Sequence, residues 1–273
     1  MDTLSGLVRL EVRIVRGTFL LEGIGALCYA AVFVPEYGLW PGLWKSVFNA
    51  VSAFCNAGMD VLGETSLRAY AGNPLVNVTT MVLIVLSGLG FMVWWNLIDS
   101  WKKRKEHKRG FAAGLTLHTK LVLIMTAALV FGGALFFFLF EYRNPATIGN
   151  MGMGNKVMAS FFQSVTTRTA GFETIPQAQL TDGSTLLTMI LMLIGGSPAG
   201  TAGGIKTTTA GILILIILST VRGRRETEFM KRRISADAGR TALTVTGLAF
   251  LVVIGASVLL FATDGLEFKD TIY

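Results

Sequence analysis

Phe48-Asn49-Ala50-Val51-Ser52-Ala53-Phe54-Cys55-Asn56-Ala57-Gly58 and Phe161-Phe162-Gln163-Ser164-Val165-Thr166-Thr167-Arg168-Thr169-Ala170-Gly171 align without a gap. Each ends in Ala-Gly followed by an apolar residue, Met59 or Phe172, and each lies between two stretches long enough to cross a bilayer. Apolar side chains fall at Val47, Phe48, Ala50, Val51 and Phe54 in the first copy, and at Val157, Met158, Phe161, Phe162 and Val165 in the second. Both patterns are one-sided at the 3.6-residue period of a helix. About eleven helical residues span roughly 16 Å, enough to reach the bilayer midplane but not to cross it. Such a helix points its carbonyl end, the negative end of its dipole, at the membrane centre, which favours a cation there.

The segment after each helix is expected to be a short extended strip whose backbone carbonyls replace an ion's hydration shell. Gly58 and Gly171 suit that purpose, because glycine allows the backbone angles that turn successive carbonyls to one side and adds no side chain to obstruct a pore. The competing reading makes each Ala-Gly pair a close-packing point between helices. Two gapless copies at equivalent places between spans favour the pore.

Composition sets the class. With 52% hydrophobic and 15% charged residues and a mean hydropathy of +0.59, the chain carries more apolar surface than a soluble domain of 273 residues could hide. It reads as an all-α polytopic membrane protein. Five crossings are expected, near Thr18–Val34, Leu75–Ile98, Leu121–Phe140, Leu186–Ser219 and Ala242–Ala262. The fourth would make a straight helix of about 51 Å against a core of roughly 30 Å. Gly195-Gly196-Ser197-Pro198-Ala199-Gly200-Thr201-Ala202-Gly203-Gly204 must therefore break it. Irregular backbone at membrane depth survives only where protein buries it or where it lines a water-filled cavity, so this loop is a candidate for the conduction path.

Segments 1–17, 100–120 and 221–240 carry three, seven and seven Lys/Arg residues. The connections holding the repeated motif contain only Lys45, Arg68, Arg143, Lys156 and Arg168. The positive-inside rule places the basic segments in the cytoplasm and brings both repeated motifs in from outside. Basic runs beside a membrane are solvated loops near anionic headgroups, so the net charge of +7 implies no nucleic-acid partner. Residues 1–17 read as an amphipathic basic segment rather than a cleavable signal. Cys28 and Cys55 are too few for a disulfide framework, and His107 and His118 lie far from any cysteine or carboxylate cluster that would hold a metal. No nucleophile has a partner base. The glycine-rich run also lacks the phosphate-loop order, since Lys206 follows Ile205, so no enzymatic activity and no tightly bound cofactor are expected.

The two filter-like strings and the run Gly195–Gly204 with Ile205 and Lys206 resemble the second and third filter regions and the intramembrane gating loop of the Trk/Ktr/HKT superfamily of potassium transporters. The similarity is strongest to bacterial KtrB/TrkH-type membrane subunits. It implies potassium uptake across the cell membrane by a multi-pass, pore-forming subunit, with ion-binding positions at Cys55, Asn56, Ala57, Gly58, Thr169, Ala170 and Gly171. The gate would comprise Gly195, Gly196, Ser197, Pro198, Ala199, Gly200, Thr201, Ala202, Gly203, Gly204 and Lys206. It also implies a homodimer seated on a cytosolic nucleotide-binding ring, with potassium and membrane lipid as the other partners.

Family members carry four helix–pore-loop–helix repeats. By resemblance, 18–99 is the second, 121–220 the third and 242–273 the first helix of the fourth, with cytoplasmic segments 1–17, 100–120 and 221–241 around them. The expectation is a part of a longer product or a truncated one. Two alternatives stand beside the pore. One is an inverted-repeat secondary transporter, although both motif copies here enter from the same side; the other is an inert or assembly-modifying membrane fragment.

Single charges complete the reading. Arg168 aligns with Cys55 beside the filter, where a charge facing a permeating cation would repel it. It is expected to point away and brace the filter from behind, with Glu173 or Asp182 as candidate partners. Lys206, the lone charge between Leu186 and Ser219, would steady the glycine loop, oppose cation passage or snorkel to the cytoplasmic edge. Glu22 and Asp99 read as interfacial anchors.

Overall fold

The computed structural model describes residues 4–63, 65–107, 111–224, 226–230 and 232–264. Helix α1 (Leu4–Tyr37) runs unbroken through the basic segment and the first expected span. Gly38, with φ +84°, reverses the chain into α2 (Leu39–Cys55). The two helices cross with backbones nearly touching, since a Cβ on Gly42 would lie 2.6 Å from the Phe33 carbonyl oxygen. Helix α3 (Pro74–Leu89) starts on Asn73, whose side chain accepts from the Leu75 and Val76 amides at 3.0 and 3.3 Å. Proline at the first helical position fits because its missing amide hydrogen would have had no partner there.

Leu75–Ile98 is not one straight crossing. The chain bends by 92° between α3 and α4 (Phe91–His107), at Gly90 with φ +86°. The cause lies more than a hundred residues away. Ser197 donates its amide to the Gly88 carbonyl at 2.8 Å, and Phe91 donates to the Ala199 carbonyl at 3.0 Å. The glycine loop thus takes over backbone groups that would otherwise continue the helix, and a Cβ on Gly90 would collide with the Pro198 oxygen.

After the short helix α5 (Phe111–Gly114), the pattern returns. Helix α6 (Leu117–Glu141) is capped by Thr116, which accepts from the Thr119 amide at 3.2 Å. It leads to α7 (Met153–Thr166), then to α8 (Asp182–Leu193) and α9 (Thr207–Val221), which are separated by the glycine loop. Each unit is a long helix, a short helix and a broken helix in the same chain order. The short helices, of 17 and 14 residues, are longer than the repeated string because they begin upstream of it. A two-residue antiparallel hairpin, β1 (Glu228–Phe229) and β2 (Arg232–Arg233), interrupts the otherwise helical chain. Phe229 packs beside Leu121, Met125 and Ala210. Helix α10 (Ala236–Asp264) starts ahead of the expected span and exposes its apolar side chains along its length.

Both units share one core. Tyr29, Phe33, Ala50, Ala53, Phe54, Leu83 and Ile84 from the first unit are buried with Phe162, Val165 and Phe172 from the second. Tyr29 stacks on Phe33 with ring centres 5.5 Å apart, and its hydroxyl pairs with Thr80 Oγ1 at 2.6 Å. In the second unit Ser164 donates to the Val130 carbonyl at 2.8 Å, where α7 crosses α6.

The C-terminal end of α6 is tied to the start of α8 through a buried carboxylate. Glu141 accepts from Asn144 Nδ2 (2.7 Å), Thr147 Oγ1 (2.6 Å), Thr181 Oγ1 (2.7 Å) and the Thr181 amide (2.9 Å). Glu141→Ala removes this acceptor from the buried Thr147 hydroxyl and the half-buried Thr181 amide. Leaving even one unpaired costs about 1–3 kcal/mol, so the variant is expected to melt markedly lower in a detergent thermal-shift measurement, and an unchanged melting curve refutes the clasp.

Candidate ion-conduction site

Helix α2 ends at Cys55, and Asn56 caps it in the left-handed conformation at φ +51°. Its aligned counterpart Thr169 adopts φ +68°. Two residues further on, Gly58 and Gly171 have φ +67° and +88°, while Ala57 and Ala170 between them do not have positive φ. Both strips therefore alternate in backbone handedness. Non-glycine residues with positive φ are uncommon, and two at aligned positions mark a repeated, over-determined geometry.

The strips lie backbone against backbone. A Cβ on Gly58 would collide with the Ala170 carbonyl oxygen and lie 2.8 Å from Gly171 Cα, while one on Gly171 would sit 3.3 Å from Gly58 Cα. The second strip is also held from within its own unit. Thr166 donates its hydroxyl to the Phe172 carbonyl at 2.7 Å, and its own carbonyl accepts from the Ala170 and Gly171 amides at 2.9 and 3.3 Å.

The glycine loop abuts the start of both strips. Thr201 donates to the Phe54 carbonyl at 3.0 Å and accepts from Asn56 Nδ2 at 2.6 Å. Asn56 also donates to Ser87 Oγ at 2.9 Å, just before the bend of α3. The Gly203 amide donates to Thr169 Oγ1 at 2.8 Å. Aligned residues of the two strips thus each hold the same loop through a side chain. Arg168 is buried and donates from Nη2 to the Gly195 carbonyl at 3.3 Å. Its contact is therefore with the loop, and Glu173 pairs with Arg68 instead. Lys206 donates to the Ala202 carbonyl at 2.7 Å, which steadies the loop from its far end.

The loop itself has a defined shape. Gly196 donates to the Gly203 carbonyl at 3.3 Å, Ile205 to the Leu193 carbonyl at 2.9 Å and Thr207 to the Gly196 carbonyl at 3.0 Å, while the Ser197 and Thr207 hydroxyls pair at 2.7 Å. Its glycines serve close approach as much as freedom of movement. A Cβ on Gly195 would collide with the Gly203 oxygen, and one on Gly200 would come within 2.7 Å of the Ser87 oxygen. Small side chains do not leave the segment loose; backbone hydrogen bonds define it.

Glu22 departs from its expected place at the interface. It sits well inside α1 and is 8% exposed. Periodicity counted from the start of a span at Thr18 hides this, because α1 begins at Leu4. Cys28 and Cys55 are both free thiols. Among the described residues no group of three or more His, Cys, Asp or Glu side chains is placed to hold a metal. The side chain of His107 lies outside the described residues.

The family model for TrkH, described as a cation transport protein, matches residues 4–267. The chain belongs to the TrkH family of cation transport proteins. Among curated relatives it is 36% identical over 264 residues to the potassium/sodium uptake protein NtpJ of Enterococcus hirae, covering 97% of this chain and 56% of that protein. It is 34% identical over 271 residues to the Ktr system potassium uptake protein B of Bacillus subtilis, covering 99% and 59%. The crystal structure of the potassium transporter TrkH from Vibrio parahaemolyticus superposes with a TM-score of 0.71 at 17% identity, over 91% of this chain and 51% of that one. That likeness shows the TrkH fold. The chain spans a little over half the length of the curated TrkH-family relatives it matches.

Proposed function

We propose that this chain contributes part of a potassium uptake pore in the cell membrane. Ions pass inward down their electrochemical gradient along the carbonyls of Cys55–Gly58 and Thr169–Gly171, and Gly195–Gly204 with Lys206 gates them from below. One observation carries the reading: two aligned strips of alternating handedness meet backbone to backbone while a single loop hydrogen-bonds to the start of each. Potassium is the permeating ion and needs no resident cofactor. The matching chain order of the two units favours this reading over an inverted-repeat transporter. Potassium uptake proteins are among the relatives, in agreement with it. By the same resemblance the complete protein works as a homodimer on a cytosolic nucleotide-binding ring. The domain limits follow suit, with 18–99 and 121–220 as successive repeats, 195–204 as the gate, and 242–273 opening a further repeat.

The direct test is potassium and sodium uptake by the complete gene product in cells lacking their own potassium uptake, with this chain alone as the comparison. Growth rescue at low potassium is expected for the complete product, and its failure in a correctly inserted protein defeats the reading.

The loop contacts add a finer expectation. Thr201→Val keeps the volume but removes the bonds to Phe54 and Asn56. At about 1 kcal/mol for each net hydrogen bond, the closed state loses enough for the open fraction to rise by about fivefold or more, with ion preference unchanged. Uptake no faster than the parent's would show that these bonds do not hold the gate shut.

A further inference from the structure

Arg68 opens the single 3₁₀ turn Arg68–Tyr70 in the outer loop of the first unit. Its Nη2 lies 2.5 Å from Glu173 Oε1 in the second unit. Glu173 directly follows Phe172, whose carbonyl is tied to Thr166 behind the strip. The same Oε1 accepts from the Gln177 amide at 2.8 Å, and the Glu173 amide faces Ser66 Oγ at 3.4 Å. Gln177 in turn forms a reciprocal pair with Gln163: Nε2 of each donates to Oε1 of the other, at 2.6 and 3.0 Å. Gln163 is wholly buried on α7, and its carbonyl accepts from the Thr167 hydroxyl at 2.9 Å. A continuous polar chain therefore runs from the outer loop of one repeat, around the outer end of the second strip, into the pore helix that carries it.

The ion pair is poorly placed to stabilise the fold. The two side chains are 37% and 20% exposed, and pairs this open to water contribute little. Its geometry does have a local consequence. Glu173 is the second residue beyond the strip, after Phe172, and three separate groups fix it: Arg68 and the Gln177 amide at its carboxylate, and Ser66 at its amide. The Arg68 contact also leaves that Oε1 engaged rather than turned toward incoming cations.

We propose that Arg68 is a positioning residue for the filter of the neighbouring repeat: by clamping Glu173 it sets the carbonyls of Gly171 and Phe172, and through them the ion preference. The inference rests on reading Thr169–Gly171 as filter. Potassium uptake by the complete protein is measured at several potassium concentrations, with sodium as competitor, for Arg68→Gln, Glu173→Gln, the double variant, Arg68→Lys and Gly171→Ser, and each variant's melting temperature is recorded. Each neutralising single variant is expected to lower the potassium-over-sodium preference by about three- to tenfold, and the double variant to be no worse than the more affected single, as coupled neighbours require. Arg68→Lys, which keeps the charge, should retain most of the preference. If the neutralised variants change only the melting temperature, or their effects on preference multiply in the double variant, the clamp is refuted. If Gly171→Ser shifts the preference while Arg68→Gln does not, the clamp alone fails; if Gly171→Ser also leaves preference and uptake unchanged, the filter reading falls and takes the clamp with it.

Discussion

Gly58→Ala in the complete protein is expected to cut potassium uptake at least about tenfold without preventing membrane insertion. Two effects add at this one atom. Gly58 has φ +67°, a left-handed conformation that costs an L-residue roughly 1–2 kcal/mol. The new Cβ would also collide with the Ala170 carbonyl oxygen, one of the groups proposed to face the ion. A displaced carbonyl weakens coordination where the number and placement of oxygens decide binding. Gly171→Ala is expected to be milder, since its Cβ would meet Gly58 Cα at 3.3 Å, a contact that small shifts can relieve. Glycine substitution by serine or aspartate at either site should weaken uptake or relax selectivity in the same order. Transport assays on membranes with matched protein content test this ranking, and normal potassium uptake and sodium exclusion in Gly58→Ala would remove the strip from the conduction path.

Deletion of Gly196–Gly203 is expected to speed potassium flux by about tenfold or more while leaving ion preference intact. An open state that is minor in the parent is populated at no more than about 10%, so removing the closed state releases at least that factor. The geometry permits the deletion. Gly195 and Gly204 already touch, with a Cβ on Gly204 falling 2.8 Å from the Gly195 amide nitrogen, and Ile194 and Ile205 form a bridge beside them. Rejoining these ends need not separate α8 from α9. The carbonyls proposed to select the ion lie in other segments, so selectivity should survive, and dependence on a cytosolic regulator should fall. A deleted protein that inserts normally yet conducts no faster would make the loop a packing element.

The repeat and the break in the fourth span were legible because each depends on local properties. Hydrophobic length reports a crossing, and a run of five glycines and a proline between Gly195 and Gly204 cannot continue a helix at any reasonable cost. The second break, at Gly90, was not legible in the same way. Ser87-Gly88-Leu89-Gly90 carries a weak signal, since two spaced glycines are common in membrane helices. What bends the chain is the arrival of Ser197, Pro198 and Ala199 from the second unit. The side chain of Arg168 posed the same difficulty. Sequence restricts a buried cation to nearby acceptors, and carboxylates at 173 and 182 were natural candidates, but the carbonyl that meets it belongs to Gly195.

Sequence by itself determined the class of this protein, the gapless repeat ending at Gly58 and Gly171, and the glycine loop that breaks the fourth span. All of these follow from composition, periodicity and local backbone preference. Tertiary structure alone decided that Asn56 and Thr169 hold the same loop, that Arg68 crosses 105 residues of chain to Glu173, and that Glu22 is buried within α1. Such contacts depend on which helix faces are brought together, and a hydrogen bond between distant residues leaves no periodic trace in either segment. Local propensity can break a helix, but only packing decides what fills the break.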